Sequence, residues 1–172
     1  MRVYNVLFLC SGNSARSIMA ESLLTHWGKG RFRAFSAGSA PRGSVHPLTV
    51  EMLRSAKLPT TGLYSKSWHE FVDHGAAEMD FVFTVCDQVA ADPCPAWPGS
   101  PMTAHWGVPD PLAAEGSEAE RSRAFYDAFR ALETRIKLFV SLPVDKLDGL
   151  ALKRKMDEIG RARADAPSAS AS

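Results

Sequence analysis

The chain of 172 residues lacks several features that mark whole classes of protein. It has no apolar run long enough to cross a bilayer, and its first residues lack the pattern of a secretory signal. The formal net charge is only +1, which gives no reason to expect nucleic acid or a membrane as a partner. No glycine-rich dinucleotide fingerprint occurs, so no cofactor is predicted. These absences favour a cytoplasmic enzyme with a single domain.

Cysteine is also scarce, because the chain has only three. An odd number does not suggest a set of structural disulfides, and a reducing compartment would keep the side chains as thiols. The five histidines do not have the spacing of a metal-binding motif, and no metal is predicted. Cys10, Cys86 and Cys94 are therefore candidates for catalytic or redox chemistry.

The most informative segment is residues 10–17, CSGNSARS, which follows an apolar segment and precedes a helical pattern. A loop between a strand and a helix can surround a tetrahedral anion with backbone N–H groups and the helix N-terminus. The guanidinium of Arg16 can bind two oxygens of such an anion. The predicted oxyanion site consists of Ser11, Gly12, Asn13, Ser14, Ala15 and Arg16.

Cys10 lies at the start of this loop and is the predicted nucleophile. The positive charge around it predicts a pKa below the value of about 8.5 for an ordinary thiol. Ser17 is expected to donate a hydrogen bond to the thiolate and to lower that pKa further. Gly12 and Asn13 suit a turn or a backbone with positive φ.

The hydrophobic pattern predicts an α/β fold with a central parallel four-stranded sheet flanked by helices. The predicted strands are residues 3–9, 31–35, 80–85 and 103–108. The predicted helices are residues 14–27, 46–56, 65–71, 118–141 and 147–159, and residues 87–102 are read as a long loop.

We expect a main domain over residues 1–142, with a helix in residues 143–160 that packs on it or extends it. Residues 161–172 are rich in alanine and serine, which predicts a disordered tail.

Three candidate site residues come directly after predicted strands: Cys10, Cys86 and Asp110. The carboxyl ends of parallel strands form the usual ligand crevice, so we expect these side chains to meet there. Asp110 lies between two prolines and is the natural general acid for a departing oxygen. The alternative is an ordinary turn aspartate next to proline.

Cys86 and Cys94 flank the long loop, and two extra thiols suggest electron transfer. If the bound anion is arsenate, Cys10 forms a thiol adduct, and attack by Cys86 on the Cys10 sulfur would expel arsenite. Cys94 could then attack Cys86 and move the disulfide outward to an external reductant. The alternative is that both are buried cysteines that only pack.

Four segments resemble arsenate reductases built on the low-molecular-weight protein tyrosine phosphatase fold. They are residues 6–24 (VLFLCSGNSARSIMAESLL), 35–38 (FSAG), 81–87 (FVFTVCD) and 103–111 (TAHWGVPDP). The resemblance implies Cys10 as nucleophile, Arg16 as oxyanion ligand, Asp110 as acid and Ser17 and Asn13 as residues that stabilise the loop. It also implies a relay through Cys86 and Cys94, recycled by thioredoxin or by glutathione with glutaredoxin.

Two positions depart from the family pattern. Seven residues separate Cys86 from Cys94, one more than in thioredoxin-coupled members, which leaves the reductant open. Some members bind potassium near the loop, and Asn13, Glu21 and Ser36 match positions used there. Residues 65–68, SKSW, lack the acidic residue that would complete the site, so the sequence predicts no metal.

Two other functions remain open. A phosphotyrosine phosphatase would share the loop chemistry, but many have a second cysteine where this chain has Ala15, and aromatic residues where Leu112 follows Pro111. A non-catalytic oxyanion or arsenical sensor belongs to a different class. The presence of Cys10, Arg16 and Asp110 argues against a sensor, because a binding protein needs neither a nucleophile nor an acid.

Overall fold

Four parallel strands form one sheet in the order β2-β1-β3-β4. The computed structural model describes residues 2–73, 75–91 and 94–162. The strands are β1 (Tyr4–Cys10), β2 (Phe32–Gly38), β3 (Phe81–Thr84) and β4 (Met102–His105). The predicted fold class, an α/β domain with a four-stranded parallel sheet, is confirmed.

The central strand β1 is the best buried part of the sheet. Its residues Val6, Leu7, Phe8 and Leu9 are all fully buried, as expected for a strand that is covered on both faces. β1 pairs with β2 along its full length and with β3 over four residues. Its carboxyl end, where Cys10 lies, is therefore held firmly between two neighbours.

Among the residues that the structure describes, five α-helices connect and cover these strands. They are α1 (Arg16–Trp27), α2 (Pro47–Ser55), α3 (Asp87–Ala91), α4 (Glu118–Val140) and α5 (Gly149–Gly160), with 3-10 turns at Trp68–Phe71 and Pro111–Ala113. α1 packs against β1, β2 and α4, while α5 packs against β4. In the described part of the chain, none of the helices is both long and apolar enough to span a membrane.

The structure differs from the sequence prediction at four elements. The helix predicted over residues 65–71 is only a 3-10 turn at Trp68–Phe71. β2 extends to Gly38, because residues 36–38 pair with the end of β1 although they are small and weakly apolar. The predicted loop over residues 87–102 contains α3, which is too short for a helical period to show. β4 covers Met102–His105 and ends earlier than predicted, although the Trp106 N–H still donates to the carbonyl of Thr84 at 2.7 Å.

The helix α5 covers the open side of β4. Trp106 Nε1 donates to the carbonyl of Met156 at 3.0 Å, and Lys153 Nζ donates to the carbonyl of Thr103 at 2.6 Å. These bonds join the predicted C-terminal segment to the sheet. In the predicted disordered tail, residues 163–172 lie outside the described part of the chain.

Candidate active site

A short loop at the carboxyl edge of the sheet forms a small pocket. Cys10 is the last residue of β1 and Arg16 the first of α1, so residues 11–15 make the loop. The pocket has a volume of about 20 Å³ and is lined by the whole loop together with Arg42, Asp110 and Leu112. Since one water molecule needs about 10–15 Å³ by this measure, the pocket suits a small oxyanion.

Gly38 on β2 allows the loop to lie this close to the sheet. It pairs with Cys10 in the parallel register. A Cβ atom at Gly38 would lie 2.5 Å from the carbonyl oxygen of Ser11 and 2.9 Å from that of Cys10. Any side chain here would therefore push the start of the loop out of place.

Cys10 and Cys86 lie against each other and share one proton. Cys86 Sγ accepts a hydrogen bond from the Ser11 N–H at 3.3 Å. The hydrogen bond from the Cys10 thiol, opposed by burial and assisted by backbone N–H donors, lowers the pKa of Cys86 to about 5. The same hydrogen bond, together with burial, raises the pKa of Cys10, although Arg16 acts in the opposite direction.

This arrangement corrects the prediction of a low pKa for Cys10. The sequence shows the positive charge of the loop but not the approach of Cys86. Because the Cys10 thiol donates to Cys86, the pair favours the thiolate on Cys86.

Arg16 lies at the edge of the pocket that faces the loop after β4. Its Nη1 donates to the carbonyl of Val108 at 2.8 Å, and its Nη2 lies 3.6 Å from Asp110 Oδ1. The same Oδ1 accepts the N–H of Leu112 at 2.9 Å. The structure thus brings the predicted oxyanion ligand and the predicted acid to one pocket with Cys10.

Asn13 is fully buried, and its side chain forms hydrogen bonds that fix the loop. It is the loop residue with positive φ, at 45°, whereas Gly12 does not have one. A Cβ at Gly12 would lie 2.9 Å from Nε of Arg42, so the Arg42 side chain would have to shift to make room for it. Asn13 Nδ2 donates to Ser17 Oγ at 2.8 Å and to Ser36 Oγ at 3.0 Å.

Ser17 does not fill the role that the sequence predicted for it. Its hydroxyl oxygen accepts from Asn13, and among the described residues no hydrogen bond joins it to Cys10. Ser17 therefore acts in this state by holding Asn13, which in turn shapes the loop.

Arg42 is a pocket residue that the sequence analysis missed. Its backbone N–H donates to the carbonyl of Gly12 at 2.9 Å, and its side chain lines the pocket beside Arg16. It also lines a neighbouring cleft of about 610 Å³ that contains Cys86 and Asp87. Nothing in the sequence around Arg42 marks it, because it reaches the loop only through the fold.

The third cysteine differs from the first two in its exposure to solvent. Cys94 is exposed, whereas Cys10 and Cys86 are buried. α3 begins directly after Cys86 and lies between it and Cys94 along the chain. The structure therefore joins two of the three predicted redox residues and leaves the third at the surface.

The residues around Glu21 and Ser36 do not fit a potassium ion. Potassium is held by clusters of oxygen ligands, backbone carbonyls above all. Here the ammonium of Lys66 lies among these oxygens, at 3.0 Å from the Ser36 carbonyl and 3.7 Å from Glu21 Oε1. Ser36 Oγ also donates to Glu21. A second cation beside the ammonium would be repelled.

Comparisons with known proteins agree with this geometry. The family described as low molecular weight phosphotyrosine protein phosphatase matches residues 5–154. A protein named arsenate reductase from Shouchella clausii is 35% identical over 134 residues, which are 78% of this chain and 93% of that protein.

Two solved structures are also similar. A thioredoxin-dependent arsenate reductase of Corynebacterium glutamicum is 27% identical with a TM-score of 0.53. The match covers 79% of this chain, which spans only 63% of that protein. An arsenate reductase from Archaeoglobus fulgidus is 25% identical with a TM-score of 0.63, over 80% of this chain and 99% of that one. The chain therefore belongs to the low molecular weight phosphotyrosine protein phosphatase family.

Proposed function

We propose that the protein reduces arsenate to arsenite with Cys10 as the nucleophile. The observation that carries this proposal is the hydrogen bond between Cys10, which lines an oxyanion-sized pocket, and Cys86, which lines the adjoining cleft. A phosphatase needs only the first thiol, whereas a reductase needs a second thiol close to it. The relatives named arsenate reductase support the same conclusion.

The first step is attack of the Cys10 sulfur on the arsenic atom of bound arsenate. Arg16 and the loop N–H groups hold the arsenate oxygens, and Asp110 protonates the oxygen that leaves as water. As Cys10 attacks, its proton passes to an arsenate oxygen that stays on arsenic, so Cys86 keeps its thiolate. The product is an arsenic(V) adduct with one sulfur–arsenic bond.

The second step transfers two electrons. The Cys86 thiolate attacks the Cys10 sulfur, the sulfur–arsenic bond breaks, and its electron pair stays on arsenic, which leaves as arsenite. Arsenic goes from the +5 to the +3 state while two thiols become the Cys10–Cys86 disulfide. The Cys10 thiol no longer donates to Cys86 at this stage, but the N–H groups of Ser11 and Val89 and the charge of Arg16 still lower the pKa of Cys86 and favour its thiolate.

In the third step Cys94 attacks Cys86 and moves the disulfide to Cys86–Cys94, which restores the Cys10 thiol. The exposure of Cys94 supports access by an external reductant. That reductant is thioredoxin, or glutathione with glutaredoxin, and the thioredoxin-dependent relative favours the first. A cytoplasmic location belongs to the same proposal, since such reductants act there.

The test is arsenate-dependent thiol loss in pre-reduced protein without added reductant, followed by mapping of the disulfides. We expect a Cys86–Cys94 bridge in the unaltered protein and a Cys10–Cys86 bridge in Cys94→Ser. Cys10→Ser should lose no thiols. Three intact thiols after arsenate treatment, with steady turnover of an aryl phosphate, would overturn the proposal.

The loop chemistry supports phosphate monoester hydrolysis as a second activity, and the family description favours it. Leu112 and Arg42 lie at the pocket mouth, where a phosphotyrosine ring would need an aromatic partner. We therefore expect aryl phosphate turnover to be slow. A Cys94→Ser variant should keep it, because hydrolysis needs only Cys10, Arg16 and Asp110.

A further inference from the structure

Lys66 carries a buried ammonium directly behind the oxyanion loop. The residue is only 7% exposed, which is rare for a lysine unless its charge is compensated. Its Nζ donates to the carbonyls of Ser36 at 3.0 Å and Tyr64 at 2.8 Å. It also lies 3.7 Å from Glu21 Oε1 and 4.3 Å from the centre of the Tyr64 ring.

This ammonium is connected to the loop through two short routes. Through the backbone, the Lys66 N–H donates to Asn13 Oδ1 at 2.9 Å. Through the side chain, the Lys66 ammonium pairs with the Glu21 carboxylate. Glu21 accepts a hydrogen bond from Ser36 Oγ, and Ser36 Oγ accepts one from Asn13 Nδ2. Both routes end at Asn13, the loop residue with positive φ.

The charge of Lys66 compensates a carboxylate that would otherwise be buried alone. Burial raises the pKa of Glu21, and both Ser36 and Lys66 act against that rise. Without the ammonium, Glu21 would take up a proton or turn towards water, and Ser36 would lose its acceptor. The loop would then lose part of the support that fixes Asn13.

We propose that Lys66 is a positioning residue whose ammonium serves as a covalently attached cation for the oxyanion loop. It occupies the oxygen cluster that a monovalent ion would need, so the protein requires no such ion. This inference rests on the proposed function of the loop as an oxyanion site. It can fail while arsenate reduction stands, because its main readout is anion binding.

The first experiment uses the unaltered protein. Sulfate affinity is measured by calorimetry in potassium chloride and in choline chloride at equal ionic strength, together with the melting temperature. We expect both quantities to be the same in the two salts within experimental error. Specific strengthening of sulfate binding or a higher melting temperature in potassium would overturn the inference, and this test needs no variant.

The second experiment compares Lys66→Ala with Lys66→Met. Both remove the charge, but only alanine leaves room for an ion among the oxygens of Ser36, Tyr64 and Glu21. We expect sulfate affinity to fall by about 10–100-fold in both, as for other residues that orient direct ligands. Potassium or ammonium chloride should recover much of the loss in Lys66→Ala and none in Lys66→Met.

The matched control is Lys155→Ala, which removes an exposed lysine of α5 and should bind sulfate normally. Folded Lys66 variants with unchanged sulfate affinity would overturn the positioning role. Recovery in Lys66→Met, or equal recovery by choline, would show an effect of ionic strength and would overturn the ion-site role. Disulfide mapping with arsenate then reports separately on the relay.

Discussion

At the residue scale, the contact between Cys10 and Cys86 leads to a testable pH dependence. A thiol whose pKa is lowered stays ionised as the pH falls from the ordinary thiol pKa to the lowered pKa. We therefore expect the reduced protein to keep one thiolate, seen by its ultraviolet absorbance, until the pH falls to about 5. Cys86→Ser should remove this low-pH titration.

The control for this titration is Cys94→Ser, which keeps the contact between the two buried sulfur atoms. Its low-pH titration should match that of the unaltered protein. Cys10→Ala removes the thiol that donates to Cys86, so the remaining thiolate should titrate at higher pH. A titration of all three thiols near the ordinary value of about 8.5 would contradict the assignment.

Gly38 gives a second residue-scale prediction. Gly38→Ala puts a methyl group 2.5 Å from the carbonyl oxygen of Ser11, so the loop must move. We expect a loss of about 1–3 kcal/mol in the free energy of unfolding, together with weaker sulfate binding. Urea denaturation and calorimetry measure the two effects.

Gly149→Ala is the matched control for this change. Gly149 begins α5, and a Cβ atom there meets no atom within 4 Å. This variant should be as stable as the unaltered protein or more stable, because alanine restricts the unfolded chain. If Gly38→Ala were equally stable and bound sulfate normally, the close packing of β2 under the loop would not matter.

Site residues differed in how well the sequence could predict them. Cys10, Arg16 and Asp110 carry local signals, because their loops directly follow apolar strands. Lys66 carries none, since the sequence predicts only a short helix over residues 65–71 and the contacts of Lys66 are with Glu21 and Ser36, which are distant in sequence. The pKa of Cys10 also depends on a contact that no local pattern reveals.

At the element scale, α4 holds the loop that carries Asp110. Arg135 is 8% exposed, and its Nη1 donates at 2.8 Å to the carbonyls of Trp106 and Gly107. Its remaining nitrogens bind the carbonyl of Ala162, just after α5. One guanidinium thus joins α4, the end of β4 and the C-terminal segment.

Arg135→Met tests this connection. The variant leaves the carbonyls of Trp106 and Gly107 without their donor, so we expect a loss of about 1.5–3 kcal/mol in the free energy of unfolding. We also expect slower arsenate-dependent thiol loss, because Asp110 follows closely after these residues. Urea denaturation and thiol counting provide the two measurements.

Arg130→Met changes an exposed arginine of the same helix and is the matched control. Its stability should stay within about 0.5 kcal/mol of the unaltered protein, and its thiol chemistry should not change. Equal effects of the two substitutions would indicate a general dependence on helix charge and would contradict a specific role for Arg135.

The elements themselves were predictable where hydrophobic patterning is strong. β1 is a continuous apolar run, and α4 repeats buried residues at helical spacing, so both were predicted to within a few residues. The end of β2 and the whole of α3 were missed. Both are short, and neither shows a period, because their positions are set by neighbours in space.

At the scale of the whole molecule, the parallel sheet brings separate chain segments to one edge. β1 contributes Cys10, the turn after β3 contributes Cys86, and the loop after β4 contributes Asp110. The prediction that strand ends would gather these residues rests on a general rule of parallel sheets. The position of Cys94 follows no such rule, because it lies beyond α3.

The last prediction concerns the change of shape that the relay requires. Cys86 is 2% exposed with its sulfur turned towards Ser11, while Cys94 is exposed. A disulfide needs Cα atoms within about 7 Å and a defined sulfur geometry, so the Cys86 sulfur must leave its hydrogen bonds to form a bridge with Cys94. α3 connects them, and its Val89 N–H donates to the Cys86 sulfur.

We therefore expect formation of the Cys86–Cys94 bridge to unwind α3 and to leave the sheet intact. Amide hydrogen exchange in Asp87–Ala91 should become about tenfold faster or more in the oxidised protein, while β1 and α4 keep their protection. Cys94→Ser, oxidised only to Cys10–Cys86, should keep the slower exchange, because these sulfur atoms already touch. A bridged protein with unchanged exchange in α3 would contradict the expected movement and would require Cys94 to approach Cys86 without disturbing the helix.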